Sequence, residues 1–358
     1  MKLKIAGGYG EHGRNCFFVD RGEHGFLVDC GIMADESEDR FPHLLSDDIK
    51  RIRYVFLTHS HADHTGALPW LTDNGFGGKV VASKHTLEQL PFKLKNTLSL
   101  EQICNHERRG SIGDISIQYG RSGHCIGSVW YHFQLENRSV LFSGDYTEDT
   151  QMYAFDMIRG RKADLAVLDC AYGYDAIDYQ NCCKLLIEKI KELKEVYQTI
   201  VFPVPRYGRG LELLKLFEDK FPEFHLYGDA HFINQTVHLS MAENWLKKQA
   251  RSFEFHVSLY NSNHDADIVF ISDPQLRSPQ SQRIVKQLLE RNSLAVMTGS
   301  VETGTLSDEL IKQGKMQFVR YPVHLNYTQY MNLKEQNCFD RTIPYHTAEI
   351  SGEREFRI

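Results

Sequence analysis

The sequence predicts a mixed α/β protein, β-rich in its first half and built as a parallel α/β layer through its middle. Three observations carry that reading. Short strand patterns crowd the residues before 170. The period changes after Tyr174, where buried strands begin to alternate with helices. Between them sits a histidine-rich corner, Thr58-His59-Ser60-His61-Ala62-Asp63-His64-Thr65-Gly66, entered by a strand pattern and left by a helix pattern.

Taken in order, KLKIAGG, NCFFVD and GFLVDCG cluster apolar residues between glycine and charged turns, as strands do. Asp29 ends the third of these just before Cys30-Gly31, where it can brace the histidine corner by hydrogen bonding or serve as a plain turn residue. Residues 54–57 enter the corner as a strand and 66–71 leave it as a helix. A helix covers part of 84–104, and GDISIQYG is again a strand. SVWYHFQL and SVLFSGD pair as a hairpin across Glu136-Asn137-Arg138 and end at Asp145. Residues 164–168 form a strand that delivers Asp169.

Residues 178–197 then repeat apolar side chains at helical spacing, namely Cys182, Leu185, Leu186, Ile190 and Leu193. TIVFPV, FHLYGD, DIVFISD and SLAVMTG follow as short buried strands between helices, the pattern of a parallel layer. From 316 the chain returns to strand–loop–helix units, MQFVRYPVH and YTQYMNLKEQ, then TIPYHT. EISGEREFRI reads as a polar tail.

Composition narrows the class without naming a substrate. The 358 residues allow one large domain or two modest ones, and 42% hydrophobic with 25% charged residues describes a soluble globular protein. The N-terminus is too short and glycine-interrupted for a signal peptide, and no 18-residue apolar run follows. Eight cysteines lie scattered without a CxxC pair, as reduced thiols in a cytoplasmic protein do. A formal net charge of −6 argues against general coating of nucleic acid but leaves room for a local basic cleft.

The corner places three imidazoles and one carboxylate within residues 59–64, a donor set that suits zinc. His124, in the loop Gly123-His124-Cys125, and Asp145 also fall at strand ends, so all can meet on one sheet edge. A carboxylate such as Asp145 can bridge two cations, which then hold a shared hydroxide as nucleophile.

This His-x-His-x-Asp-His turn, followed by a lone His and a bridging Asp, resembles the metallo-β-lactamase fold. More specifically the chain resembles the β-CASP branch of nucleic-acid-processing enzymes. GGYGEHGRNCFFVD with LVDCG is similar to the start of bacterial β-CASP ribonucleases, and SGDYTED to their bridging-aspartate segment. DCAYG at 169–173 resembles a stretch of the mRNA 3′-end cleavage endonuclease. PVPRYGRGLELL at 203–214 and TGSVETGTL at 298–306 resemble parts of the β-CASP insertion. The resemblance implies a metallo-β-lactamase αββα sandwich with an inserted β-CASP α/β domain. Its domains would be 1–175, an insertion at 176–315, and a return segment at 316–358 carrying the last two catalytic histidines.

Carried over position by position, the resemblance implies that His59, His61 and His124 hold one zinc, while Asp63 and His64 hold the second. Asp145 bridges both, and His346 of Ile343-Pro344-Tyr345-His346-Thr347 closes the second site. Mn²⁺ is the alternative metal. His324 protonates the leaving oxygen, Asp169 orients its imidazole, and Asp63 helps to orient the hydroxide. Three positions depart from the family pattern: Pro322-Val323 before His324, Asn326 after it, and Thr347 after the last histidine. Arg206 and Arg209, at a helix start, are the candidate phosphate-binding residues. Arg108, Arg109, Arg159, Arg161 and Lys162 read as solvated surface, and Cys170 as a small buried residue.

The implied activity is a zinc-dependent ribonuclease that cuts single-stranded RNA in the cleft between two domains, leaving 5′-phosphate and 3′-hydroxyl ends. The ribose 2′-hydroxyl is not consumed, so DNA or a small nucleotide is the chemical alternative. A non-catalytic scaffold subunit and a non-nucleolytic hydrolase of the same fold are the rivals from other classes. A homodimer is the default assembly.

Overall fold

Apolar residues cluster in short runs along strands of the first 170 residues such as Cys16–Asp20, Gly25–Val28 and Leu165–Asp169, which suits sheets buried on both faces. The computed structural model describes residues 1–34, 38–237 and 239–358. Within them the chain divides into two units. The first comprises Met1–Glu148, Phe155–Ala176 and His324–Ile358, and the second Asp149–Ala154 and Ile177–Val323.

The first unit is an αββα sandwich. One sheet has seven strands, in the order Glu355–Arg357, Lys2–Gly7, Cys16–Asp20, Gly25–Val28, Ile52–Phe56, Lys79–Ala82 and Thr97–Ser99. The other has six, in the order Thr342–Tyr345, Leu165–Asp169, Arg138–Phe142, Val129–Leu135, Ile115–Arg121 and Arg109–Ile112. Aromatic rings from the two inner faces meet between them. Phe17 packs on Phe142 and Tyr345, Phe26 on Phe133, and Phe56 on Tyr131 and Phe133, at centroid distances of 4.8–5.8 Å. Outside the first sheet, Ile49, Leu68 and Leu71 of the helices Ser46–Arg51 and Leu68–Asp73 cover Leu27, Val55 and Val80. Outside the second, Tyr330 and Leu333 of the helix Tyr327–Glu335 cover Leu141, Ala166 and Leu168.

Strand direction then decides where chemistry can gather. Arg138–Phe142, Leu165–Asp169 and Thr342–Tyr345 run parallel, so Asp145, Asp169 and His346 emerge at the same edge. Gly25–Val28 and Ile52–Phe56 are also parallel, which sets Asp29 beside the chain entering the histidine corner.

The second unit holds a fully parallel six-stranded sheet, in the order Val257–Leu259, Leu226–Gly228, Ile268–Ile271, Thr199–Pro203, Ser293–Met297 and Met316–Phe318. Sheets of this kind are buried on both faces, hence the near-continuous runs Thr199–Pro203 and Ser293–Met297. One face carries Val201, Val269, Ile271, Ala295 and Met297 against Val285, Leu288 and Leu310. The opposite face stacks Phe202, Phe270, Phe217 and Phe232.

Three expectations change. The segment from 316 does not yet return to the first unit: Met316–Phe318 pairs with Ser293–Met297, and Met316 joins that apolar core, so the second unit runs to Val323. Residues 149–154 also belong to the second unit. Buried Glu212 holds them by accepting the Thr150 hydroxyl and the Gln151 (2.8 Å) and Met152 (3.0 Å) N–H groups. The supposed polar tail is an edge strand, since Glu355, Phe356 and Arg357 pair in turn with Lys4, Leu3 and Lys2, and only Phe356 among the three is half-buried. Within 84–104 two short helices, Lys84–Gln89 and Leu100–Ile103, flank the strand Thr97–Ser99.

Candidate metal centre

The strand Ile52–Phe56 ends at the corner, and the short helix Ala62–Thr65 begins within it. Asp29 holds the two together. Its Oδ1 accepts the Thr58 N–H at 2.7 Å, and its Oδ2 accepts the Thr58 hydroxyl at 2.8 Å and sits 2.7 Å from His64 Nδ1. Thus Asp29 is a brace rather than a plain turn residue. Close approach is essential here: a Cβ on Gly31 would lie 1.7 Å from the Asp63 carbonyl oxygen.

Asp145 stands at the centre. Its Oδ2 lies 3.5 Å from His59 Nε2 and 3.6 Å from His124 Nε2, while its Oδ1 lies 3.2 Å from His64 Nε2 and 3.3 Å from His346 Nδ1. The two carboxylate oxygens therefore face two different groups of donors. One group is His59, His61, His124 and Asp145; the other is Asp63, His64 and His346. In each group one ligand atom per residue lies within 4.8 Å of all the others. His346 Nε2 is 3.1 Å from Asp63 Oδ2. The His346 backbone takes φ = 69°, a left-handed conformation that costs about 1–2 kcal/mol in a residue with a Cβ, and its N–H donates to the Gly8 carbonyl at 2.7 Å.

Electrostatics marks the same place. Burial opposes the His346 imidazolium, yet Asp145 and Asp63 outweigh burial and raise its pKa to about 10. Burial likewise opposes charge on His64, and Asp145, Asp29 and Asp63 nonetheless push it well above the usual histidine range. Asp145 resists the cost of burial because His64, His346 and His59 hold it well below the ordinary carboxylate range. His59, by contrast, is driven well down by burial. Its Nε2 is enclosed and has no hydrogen-bond partner, as is His346 Nδ1. Orphaned imidazole nitrogens facing carboxylate oxygens are what a cation site requires, since leaving them unpaired is costly. The donor set fits two metal ions, with five imidazoles and two carboxylates available.

His324 stands beside this cluster, its ring 4.9 Å from that of His124 and its Nδ1 2.8 Å from Asp169 Oδ2. Asp169 is fully buried and pinned by the N–H groups of Tyr146 (2.9 Å) and Ala171 (3.0 Å). Among the departures from the family pattern, Asn326 caps the helix Tyr327–Glu335 and forms a capping box with Gln329.

All seven candidate ligands, with Asp169 and His324, thus come together in the first unit. Arg206 and Arg209 lie in the second. Of the remaining basic residues, Arg108 pairs with Asp156 at 3.2 Å, Arg159 with Glu148 at 2.7 Å, and Arg161 lies over the Trp130 ring. Two contributors went unread in the residue pattern. Asn15 Nδ2 is 2.9 Å from His64 Nε2, and the Tyr345 hydroxyl donates to Asp145 Oδ1 at 3.0 Å. Each adjoins a residue already singled out, Asn15 within GRNC and Tyr345 before His346; adjacency was the only available signal.

A four-layer sandwich carrying this His/Asp cluster defines a metal-dependent hydrolase. Residues 9–188 match the model of the metallo-beta-lactamase superfamily. The chain belongs to that superfamily, within its β-CASP nuclease family. It is 24% identical over 350 residues to an RNase J-like protein of Methanocaldococcus jannaschii, covering 87% of this chain and 81% of that one. To a transcription termination factor, FttA, of Methanosarcina mazei it is 24% identical over 295 residues, covering 71% of this chain and 46% of the factor. The chain therefore spans less than half of that second relative. A crystal structure of a protein of unknown function from Enterococcus faecalis shares the fold, with a TM-score of 0.59 at 13% identity and 99% coverage of both chains. No helix among the described residues is long and apolar enough to cross a membrane.

Proposed function

We propose that the protein is a zinc-dependent ribonuclease that hydrolyses phosphodiester bonds of single-stranded RNA and leaves 5′-phosphate and 3′-hydroxyl ends. The observation that carries this reading is Asp145, whose two oxygens face two donor groups that contain the orphaned nitrogens of His59 and His346. In it His59, His61 and His124 would hold one metal and Asp63, His64 and His346 the other, with Asp145 a ligand open to either group. The RNase J-like name of a relative supports RNA as the polymer. When bound, the metals supply a nucleophile at neutral pH and neutralise charge on the phosphoryl oxygens.

The chain's own residues do the rest. Asp29 holds His64 by Nδ1 and thereby leaves Nε2 for the metal. Asp169 accepts the Nδ1–H of His324, so Nε2 is the atom that passes a proton to the departing 3′ oxygen. Asp63, a third exposed, is placed to orient the attacking water. Arg206 and Arg209 supply positive charge for the polynucleotide backbone.

Matched single-stranded RNA and DNA, labelled internally and at the 5′ end, test the reading with zinc-loaded protein and an Asp145→Ala control. RNA cleavage that vanishes in the control is the expected outcome. Survival of both polymers with zinc bound would overturn it.

A further inference from the structure

The parallel sheet of the second unit has a reversal point at its carboxyl edge. From Thr199–Pro203 the chain leaves through the helix Arg209–Lys220 toward Leu226–Gly228 on one side. From Ser293–Met297 it leaves through Leu306–Lys312 toward Met316–Phe318 on the other. Ligands of open parallel sheets bind in the crevice that opens where strand order reverses in this way.

Three residues line up there, each the first beyond its strand's end. Continued past its last rungs, Pro203↔Ile271 and Val201↔Ala295, the register brings Val204 level with Ser272 on one neighbouring strand and with Thr298 on the other. Ile271 and Met297 point into the apolar core on the far face, so by alternation Ser272 and Thr298 point to the face that carries the helix Arg209–Lys220. Ser272 is 6% exposed and Thr298 1% exposed, and neither side-chain hydroxyl has a hydrogen-bond partner. Two orphaned hydroxyls in one row are costly unless something fills the space before them.

What surrounds them favours an anion. The helix Arg209–Lys220 starts from Gly208 without a side-chain cap. Arg206 is exposed and makes no ion pair among the described residues, and the His231 ring hydrogen-bonds its carbonyl, fixing the loop. The Arg209 guanidinium lies directly over Gly299, next to Thr298; a Cβ there would sit 2.0 Å from Nη1. The nearby carboxylates are occupied. Asp229 accepts the Ser272 and Phe232 N–H groups at 2.7 and 2.8 Å, and Glu212 is held by residues 150–152 and the Tyr321 hydroxyl.

We propose that this edge is a second, metal-independent site for a phosphoryl group, held by Arg206, Arg209 and the hydroxyls of Ser272 and Thr298. It lies within the second unit, shares no residue with the candidate metal ligands, and deepens the role given above to Arg206 and Arg209; phosphate binding itself does not rest on the cleavage reading.

Calorimetric titration of the full chain with inorganic phosphate tests it, run with metal loaded and again after chelation. Binding should persist after chelation and weaken about tenfold in Arg206→Ala, the worth of one charge-assisted hydrogen bond. Thr298→Val should weaken it too while raising the melting temperature of the ligand-free protein, because a hydroxyl without a partner is removed. Competition by AMP would assign the site to free nucleotides, and competition by a short oligoribonucleotide on chelated protein would assign it to the polymer backbone. Loss of phosphate binding on chelation, indifference to Arg206→Ala, or destabilisation by Thr298→Val would each overturn the proposal. None of these readouts involves RNA cleavage, so failure of the nuclease assay would leave them standing.

Discussion

Both units place polar residues at the carboxyl ends of parallel strands, yet the two edges carry opposite electrostatic demands. In the first, buried carboxylates raise histidine pKa values, and the orphaned atoms are imidazole nitrogens. In the second, the carboxylates are consumed by backbone N–H groups, and the orphaned atoms are hydroxyls beside arginines. One edge asks for cations and the other for an anion. Unpaired buried atoms alone do not say which ligand is missing; the charge left over around them does.

The largest effect expected is from Asp145→Ala, which removes the group facing both donor clusters. RNA cleavage should fall by about 10³-fold or more, and metal content by mass spectrometry should fall with it. Phosphate affinity of the chelated protein should stay as it was, which sharpens the contrast between the two edges. His324→Ala should cost about 10²–10⁴-fold in turnover while both metals remain bound. Loss of metal in that variant would instead make His324 a ligand. Asp29→Asn keeps a residue type that tolerates φ = 59° and removes the charge and one of the two acceptor oxygens that hold Thr58 and His64. It should lower metal affinity or activity about 10–100-fold, as read by competition with a zinc chelator.

The smallest effect concerns an ion pair that shares no residue with either edge and serves as a control. Burial raises the Asp156 pKa, but the Arg121 guanidinium (2.8 and 2.9 Å) and backbone N–H outweigh it and pull it below the usual value. A depressed carboxylate stabilises the fold above its unfolded pKa of about 3.9, and that contribution fades as pH falls through the lower folded value. Asp156→Asn should therefore cost about 1 kcal/mol near pH 7, allowing for partial solvent exposure. Thermal melts should show the gap from wild type closing below about pH 4.

Much of the first edge was legible because its chemistry is local. Four of the seven candidate ligands lie within residues 59–64, and a strand entering with a helix leaving makes them converge whatever the rest of the fold does. Asp145 and Asp169 were readable as strand-end acids. His346 and His324 were not separable from the other histidines by pattern, and only their likeness to a known family marked them. The second edge was half-read: Arg206 and Arg209 stood out at a helix start, but Ser272 and Thr298 did not.

What the residues determined by themselves, then, is periodicity and adjacency: two kinds of β-layer, the corner, and the strands that end in acids. Those follow from side-chain alternation and covalent spacing, which act over a few residues. Tertiary structure alone decided that Asp145 turns one oxygen to each donor group, and that Asp29 and Asn15 bracket His64. It also decided that Met316–Phe318 extends the second sheet, that Glu355–Arg357 closes the first, and that Ser272 and Thr298 share a row. Each of these depends on register between strands far apart in the chain. Register is set by how whole faces pack, which no short stretch of sequence contains.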